Sequence, residues 1–424
     1  MSADEAATHL GIRRATLYAY VSRGWIESVP GRGRSRLYSS ADVERLRARS
    51  EARSGHGPVA AAALRFGEPV IASEITAITG EGPRYRGQGV CSMVAEGISY
   101  ESVAELLWGM ELPLSEQDKQ VAKPWTCPRL GIALRRLESG LPEAALPLDV
   151  LRLALPVMGA KEGMLGLGIR AEKALAPGII VRLAALCGLV QGVERVRAAA
   201  GERGLARILA HALGGAKLAA HRQRVALIEA ALLLSADHGL NTSTFAARVV
   251  ASTGADLFAC LTAAICALSG PLHGGACLRV EGLLDEARSQ KNVADVVRLR
   301  GARGEAVPGF GHALYAAGDP RAMALLDLAA TGGSGEALRT MRAIADAMAD
   351  AGHPAPSLDF GLVAVAESLS LPRGSAAALF AIGRSAGWVA HIIEQRRQGF
   401  LLRPTARYVG PGAIEPGTEN RRDP

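Results

Sequence analysis

One stretch limits the folds open to this 424-residue chain more than any other: the run from Ala236 to Arg321. Between His238 and Ser269 it holds no proline and is rich in Ala, Leu, Val and Phe, a pattern that predicts a buried helix system. Gly270-Pro271 ends that run and leaves His273, in PLHGG, just past a helix end. His312, in GFGHALY, has a second glycine-rich setting; His238 opens the run and Arg321, in DPRA, closes it. Glycine beside a histidine permits unusual backbone angles and lets a ligand approach the main chain closely. Taken singly, each motif also reads as a loop histidine near a turn.

The totals favour helix. Aromatic residues make up only 4% while Ala and Leu abound, and the length suggests two or three domains with ample core. No apolar run is expected to reach the ~20 residues of a membrane helix. The longest, Leu257 to Leu268, fits a core helix better. Asp4 and Glu5 precede any apolar block, so no signal peptide is expected. Cys91, Cys127, Cys187, Cys260, Cys266 and Cys277 are scattered without a CxxC pair, which points to reduced thiols in a cytoplasmic protein and away from a zinc site or disulfide framework.

The net charge of +7 is uneven: the first 60 residues carry ten arginines against six acids, a net of +4. A basic module on a nearly neutral body suggests a polyanion partner for that module. ADEAATHL reads as a first helix with Ser2 as N-cap, Gly11 as a turn and RRATLYAYVSRG as a second helix. GWIESVPGRGRSRLY has the look of a hairpin, and SADVERLRARS of a third helix with Ser40 as N-cap. This helix–turn–helix arrangement in residues 1–50 resembles the winged helix-turn-helix of the MerR family. The resemblance implies that the second helix enters the major groove of double-stranded DNA. Arg13, Arg14, Thr16 and Tyr20 then lie toward the bases, and Arg32, Arg34 and Arg36 of the wing meet phosphates. A helical appendage in an arginine-rich chain is the alternative. Residues 51–69 read as a linker, polar and glycine-bearing through Pro58.

The second body brings together glycine-turn histidines, one carboxylate in an apolar run (Asp359 in SLDFGL) and arginines toward the C-terminus. A carboxylate in apolar surroundings resists ionisation and moves toward the range of a general base. Neutral imidazoles donate hydrogen bonds to carbonyl oxygens as negative charge grows, and arginines bind carboxylates bidentately. The set suits carbon–carbon bond formation: removal of a proton next to a carbonyl, then attack on an anionic keto acid.

Five motifs occur in order: ADHGLNTSTFAARVVAST, SGPLHGGA, GFGHALYAAGDPRA, SLDF and GWVAHIIEQ. Together they resemble the citrate synthase family, over about Ile75 to Gly410. The resemblance implies a mainly α, citrate synthase-like two-domain helical fold behind the winged helix-turn-helix domain. Its large domain is expected from residues 70–273 and 372–424, and its small domain from residues 274–371. The implied activity is an acyltransferase that condenses acetyl-CoA, or a close acyl-CoA, with oxaloacetate to give citrate and CoA. Acetyl-CoA is a co-substrate, and no cofactor is permanently bound. By match, Asp359 is the base, His273 steadies the enolate oxygen and His312 protonates the keto oxygen. Arg321, Arg384 and Arg403 hold the oxaloacetate carboxylates, and His238 adds a further contact. In the family the last arginine comes from the partner subunit, so a homodimer is implied. No metal and no membrane are expected, and His391 reads as structural.

The chain departs from the family pattern at four places. Cys277 and Leu278 stand where Asn and Glu are usual after HGGA, and Ala313 to Ala316 where a basic residue and VYK follow GFGH. Ser357 replaces the usual Asn and Gly361 the usual Tyr. The acid–base set is thus retained while the cradle for the CoA phosphates is thinned. Two further readings follow: a transcriptional regulator whose synthase-like body senses a keto acid or acyl-CoA, and a scaffold whose N-terminal unit mediates oligomerisation.

Overall fold

The computed structural model describes residues 1–10, 12, 14–22, 25–31, 36–40, 42–43, 71–109, 123–163, 166–289, 293–315, 318–332 and 335–404. The chain divides into two units, one of Met1–Ala72 with Arg403–Pro424 and one of Ser73–Leu402.

In the first unit, α1 (Ala3–Leu10) starts at a reciprocal cap: the Ser2 N–H donates to the Glu5 carboxylate at 2.7 Å and the Glu5 N–H to Ser2 Oγ at 3.3 Å. α2 spans Arg14–Ser22. β1 (Ser28–Pro30) and β2 (Arg36–Tyr38) pair antiparallel with Ser28 opposite Tyr38, which is the expected hairpin. Leu17, Ile26, Tyr38 and Val43 pack on Ala6 and Ala7 as a small core. Arg36 is exposed; Arg14 is exposed and ion-paired with Asp4. Thr16 and Tyr20 are half-buried, and the Tyr20 ring packs 5.3 Å from that of Trp25. Arg13, Arg32, Arg34, the expected third helix beyond Val43 and the linker at 51–69 lie outside the described residues.

The second unit opens with an antiparallel meander, β3 (Thr76–Thr79), β4 (Gly82–Tyr85) and β5 (Gln88–Gly89), in which Thr76 faces Tyr85. Helices follow. The first six are α3 (Val90–Ala95), α4 (Tyr100–Leu107), α5 (Leu134–Ser139), α6 (Pro147–Glu162), α7 (Ile169–Leu186) and α8 (Val193–Ala200). Next come α9 (Leu205–Gly214), α10 (Ala216–Ala219), α11 (Arg222–Ser235), α12 (Thr242–Ser252), α13 (Leu257–Leu268) and α14 (Ala276–Arg288). The last five are α15 (Val293–Ala302), α16 (Pro320–Gly332), α17 (Glu336–Asp350), α18 (Leu358–Ser368) and α19 (Ser375–Gln398).

The apolar run expected between His238 and Ser269 is two helices, α12 and α13, separated at Gly254, whose φ is +86°. Each has its own cap. Asn241 accepts the Thr244 N–H at 3.1 Å, and Asp256 accepts the Ala259 N–H at 3.0 Å. α4 stops at Leu107, and Gly109 just beyond it takes a left-handed conformation at φ +84°.

α19 is the centre of the body, buried without a break from Ser375 to Ile393. It crosses the C-terminal end of α11 at Gly383 and Gly387. A Cβ at 383 would lie 2.7 Å from Leu232 O, and one at 387 would lie 2.3 Å from Asp237 Oδ1. Only glycine allows this approach, which sets Arg384 against the end of α11. Against the expectation that no apolar run reaches membrane-spanning length, the helical stretches Ile169–Gln191 and Ser375–Gln398 are long and apolar enough. Their apolar windows are 67% and 100% buried inside the protein, as core helices are.

Candidate active site

Three backbone devices bring the motifs together. The first is the turn after α13, where the His273 N–H donates to Gly270 O at 3.0 Å and the Gly275 N–H to Leu268 O at 3.2 Å. A Cβ at Gly274 would stand 2.6 Å from the Leu268 side chain, and one at Gly275 would stand 2.7 Å from Gly270 O. The two glycines after His273 are therefore steric requirements of the turn that leads into α14. The second device pairs GFGH with SLDF. Phe310 bridges antiparallel to Pro356, the Gly311 N–H donates to Ala355 O at 2.9 Å, and the Ser357 N–H donates to Gly309 O at 2.8 Å. This sets His312 beside the start of α18, whose first turn carries Asp359. In the third, the Tyr85 hydroxyl of β4 reaches Leu233 O and Asp237 O at 3.1 Å each and fixes the chain between α11 and His238.

The Asp359 carboxylate has one described side-chain partner, the Cys277 thiol, with Sγ 3.2 Å from Oδ1. Desolvation raises its pKa above the ordinary aspartate value, partly offset by that thiol and by the residue's own N–H. His273 Nε2 lies 2.8 Å from Ser243 Oγ. Burial, with Arg384 nearby, holds this imidazole down at about 4. Ser243 Oγ accepts the Trp388 indole N–H at 3.1 Å and lies 2.8 Å from Asn241 Oδ1. Its single proton is donated to Asn241 Oδ1, so His273 Nε2–H donates to Ser243 Oγ; rotation of the hydroxyl would direct the proton to His273 Nε2 instead, and its direction sets the His273 tautomer. Given to Nε2, it leaves the ring's own proton on Nδ1 as a donor.

His312 Nδ1 accepts the Leu314 N–H at 3.1 Å, so the neutral ring carries its proton on Nε2. His238 stands edge-on to it, with ring centroids 5.2 Å apart. Burial lowers the pKa of both, and Arg321 and Arg384 add to the effect on His238, which falls well below the ordinary value. All three imidazoles are neutral donors or acceptors at pH 7.

Arg321 is 2% exposed and grips Asp319 through Nε at 3.0 Å and Nη2 at 2.7 Å, while its buried Nη1 has no partner among the described residues. Arg384 is 1% exposed and donates from Nε to Ser235 O at 2.7 Å. Burial lowers its pKa to about 10, so it remains a cation at neutral pH. No carboxylate hydrogen-bonds to Arg384 among the described residues. A free Nη1 on one guanidinium and a second guanidinium without a carboxylate partner leave an anion to be supplied. Arg403 belongs to the other unit and is exposed.

Several residues in this constellation were not assigned a role from sequence. Tyr315 hydrogen-bonds to His238 at 2.8 Å, and its ring lies 5.8 Å from the Arg321 guanidinium. Ser243 and Asp319 carry no signal in the sequence beyond their places in the NTSTF and GDPRA stretches. Arg248, 0% exposed, binds Glu394 at 2.6 Å, Gln395 at 3.0 Å and His391 Nδ1 at 3.3 Å. His391 Nε2 continues to Asp237 Oδ2 at 3.4 Å. That network lies directly behind His238 in the chain and gives His391 structural partners. Among the described residues, no cluster of three or more His, Cys, Asp or Glu side chains is arranged to hold a metal ion.

The fold and its site define a helical body that carries neutral imidazoles, buried guanidiniums and one hard-to-ionise carboxyl. Residues 65–405 match the family described as citrate synthase, C-terminal domain, and residues 1–50 match a helix-turn-helix domain. The chain belongs to the citrate synthase family. It is 42% identical to the putative citrate synthase 2 of Mycobacterium tuberculosis over 200 residues, 46% of this chain and 54% of the relative, so the match spans about half of that protein's length. It is 33% identical to citrate synthase 2 of Bacillus subtilis over 82% of this chain and 96% of that one. Among solved structures it is similar to the ternary complex of carboxymethyl coenzyme A and oxaloacetate with citrate synthase from Thermoplasma acidophilum. There the TM-score is 0.69 at 26% identity, over 82% of this chain and 95% of that one.

Proposed function

We propose that the protein condenses acetyl-CoA, or a close acyl-CoA, with oxaloacetate to give citrate and free CoA. The observation that carries this reading is the antiparallel pairing of the GFGH and SLDF segments, joined to the His273 turn through the Cys277–Asp359 contact. Asp359 removes a proton from the carbon next to the thioester. His273, with Ser243 directing its tautomer, donates to the enolate oxygen. The enolate carbon attacks the keto carbon of oxaloacetate while His312 Nε2–H supplies the proton for the keto oxygen. Arg321 Nη1, Arg384 and His238 hold the dianion. Water then cleaves the citryl thioester and releases CoA.

In this reading, residues 70–273 and 372–424 form a large domain, and residues 274–371 form a small one that closes to keep water from the enolate. The assembly is a homodimer, with Arg403 supplied by the partner subunit, and acts in the cytoplasm. The N-terminal unit binds double-stranded DNA, a role supported by its helix-turn-helix match and its hairpin with exposed Arg36.

The test is release of free thiol from acetyl-CoA and propionyl-CoA, with and without oxaloacetate. Oxaloacetate-dependent release supports the reading. A second reading, a regulator that uses this body as a keto acid or acyl-CoA sensor, is favoured by Ala313, which stands exposed where a basic residue is expected. Oxaloacetate binding without thiol release from either donor would establish it.

A further inference from the structure

Cys277 occupies the first turn of α14, four residues after His273, and is 0% exposed. Its Sγ lies 3.2 Å from Asp359 Oδ1, and no other side chain hydrogen-bonds to that carboxylate among the described residues. We propose that Cys277 is the positioning residue of Asp359: the buried thiol donates to Oδ1, fixes the carboxylate rotamer and leaves Oδ2 as the oxygen that receives the substrate proton. The inference rests on the condensation reading above.

The chemistry suits the geometry. Burial, the neighbouring Asp359 and then Glu281 push the thiol's pKa well above its ordinary value, so it stays S–H and serves as a donor. A thiol is a weak donor. It orients the carboxylate without stabilising the anion as strongly as a hydroxyl or amide would, and so preserves more of the basicity that burial confers. The charged groups within reach of Asp359 are Arg321 and Asp319 at the start of α16 and Arg384 on α19; Glu281 on α14 faces the thiol. None of these hydrogen-bonds to the Asp359 carboxylate, and Arg321 is committed to Asp319.

The experiment compares wild type, Cys277→Ala and Cys277→Ser in oxaloacetate-dependent thiol release from pH 5 to 9, with thermal unfolding recorded for each. Loss of a donor to the anion makes the carboxyl harder to ionise, so the acidic limb of the kcat profile moves to higher pH in C277A. Its kcat at neutral pH falls roughly 2- to 12-fold, the range of one ordinary hydrogen bond, as suits a weak thiol donor, while both KM values stay within about twofold. C277S retains a donor, and because a hydroxyl stabilises the anion more strongly it places the limb at or slightly below its wild-type position. An acidic limb that does not move in C277A, or that moves equally in C277S, overturns the proposal. The proposal stays testable even if C277A unfolds, because C277S by itself is expected to keep kcat within about threefold of wild type, and a collapse of kcat in a folded C277S contradicts it. A wild type that releases no thiol removes the condensation reading and this inference with it, whereas an active wild type with an unmoved limb removes only this inference.

Discussion

His238 Nε2 and the Tyr315 hydroxyl, 77 residues apart in the chain, meet at 2.8 Å. The contact ties the segment after α11 to the GFGHALY segment. Burial pushes the Tyr315 phenol up to about 12, so it remains a hydroxyl across the neutral range. Tyr315 also places its ring 4.9 Å from that of His312. One residue thus orients both imidazoles proposed to face oxaloacetate.

Tyr315→Phe keeps the ring and removes the hydroxyl. Steady-state kinetics are expected to show KM for oxaloacetate raised roughly 3- to 10-fold, the cost of one buried hydrogen bond, with KM for acyl-CoA nearly unchanged. Equal effects on both substrates would place Tyr315 in the scaffold instead.

The buried histidines make stability depend on pH. His238, His273 and His312 have folded pKa values below the ordinary 6.5, so the unfolded chain binds protons there that the folded chain does not. Stability from these groups is complete above about pH 6.5 and is lost as pH falls through their folded values, about 4 for His273. Asp359 has the opposite sign: its raised pKa adds stability as pH drops through its folded value toward 3.8. Glu229, pushed up to about 7 by burial, and Glu281 and Glu105, also raised by burial, act in the same sense as Asp359, so the histidine share is read from a variant and not from the net slope. Between pH 7 and pH 5 the urea midpoint of His273→Gln is expected to fall less, or rise more, than that of wild type, and an unchanged pH dependence contradicts the assignment.

The Arg248–Glu394 pair is 0% and 13% exposed at its two side chains, and Glu394 also accepts the Glu74 N–H at 2.8 Å. Arg248→Met leaves a largely buried carboxylate without its cation, at a cost of about 3–5 kcal/mol in denaturant unfolding. The double variant with Glu394→Gln is expected to recover part of that loss, and additive losses would show that the two do not interact.

In the N-terminal unit, Arg36 is exposed on β2, whereas Arg14 is engaged by Asp4. Fluorescence anisotropy with duplex DNA should show weaker binding for Arg36→Ala and a salt-dependence slope reduced by about 1, as for one lost phosphate contact. Binding insensitive to salt would remove the DNA assignment.

Much of the fold was legible because its signals are local. Turn glycines such as Gly274 and Gly275, caps such as Ser2 and helical spacing all act within a few residues. The motif histidines, Asp359 and the two buried arginines were therefore visible in the letters alone. Three kinds of feature were not. The break at Gly254 and the stop at Gly109 depend on single left-handed residues inside helical patterns. The bonds of Arg248 to Glu394 and of Cys277 to Asp359 join residues 146 and 82 positions apart, which no periodicity encodes. The membrane-length apolarity of α19 was masked by Arg384 and His391, which are polar letters inside its buried stretch from Ser375 to Ile393.

The central claim is that Asp359 takes the proton, and Asp359→Asn tests it most directly because it keeps the shape and removes the base. The account predicts kcat for oxaloacetate-dependent thiol release lower by about 100-fold or more, the contribution of a positioned base, with oxaloacetate affinity by calorimetry unchanged within about threefold. A kcat within about tenfold of wild type would contradict it.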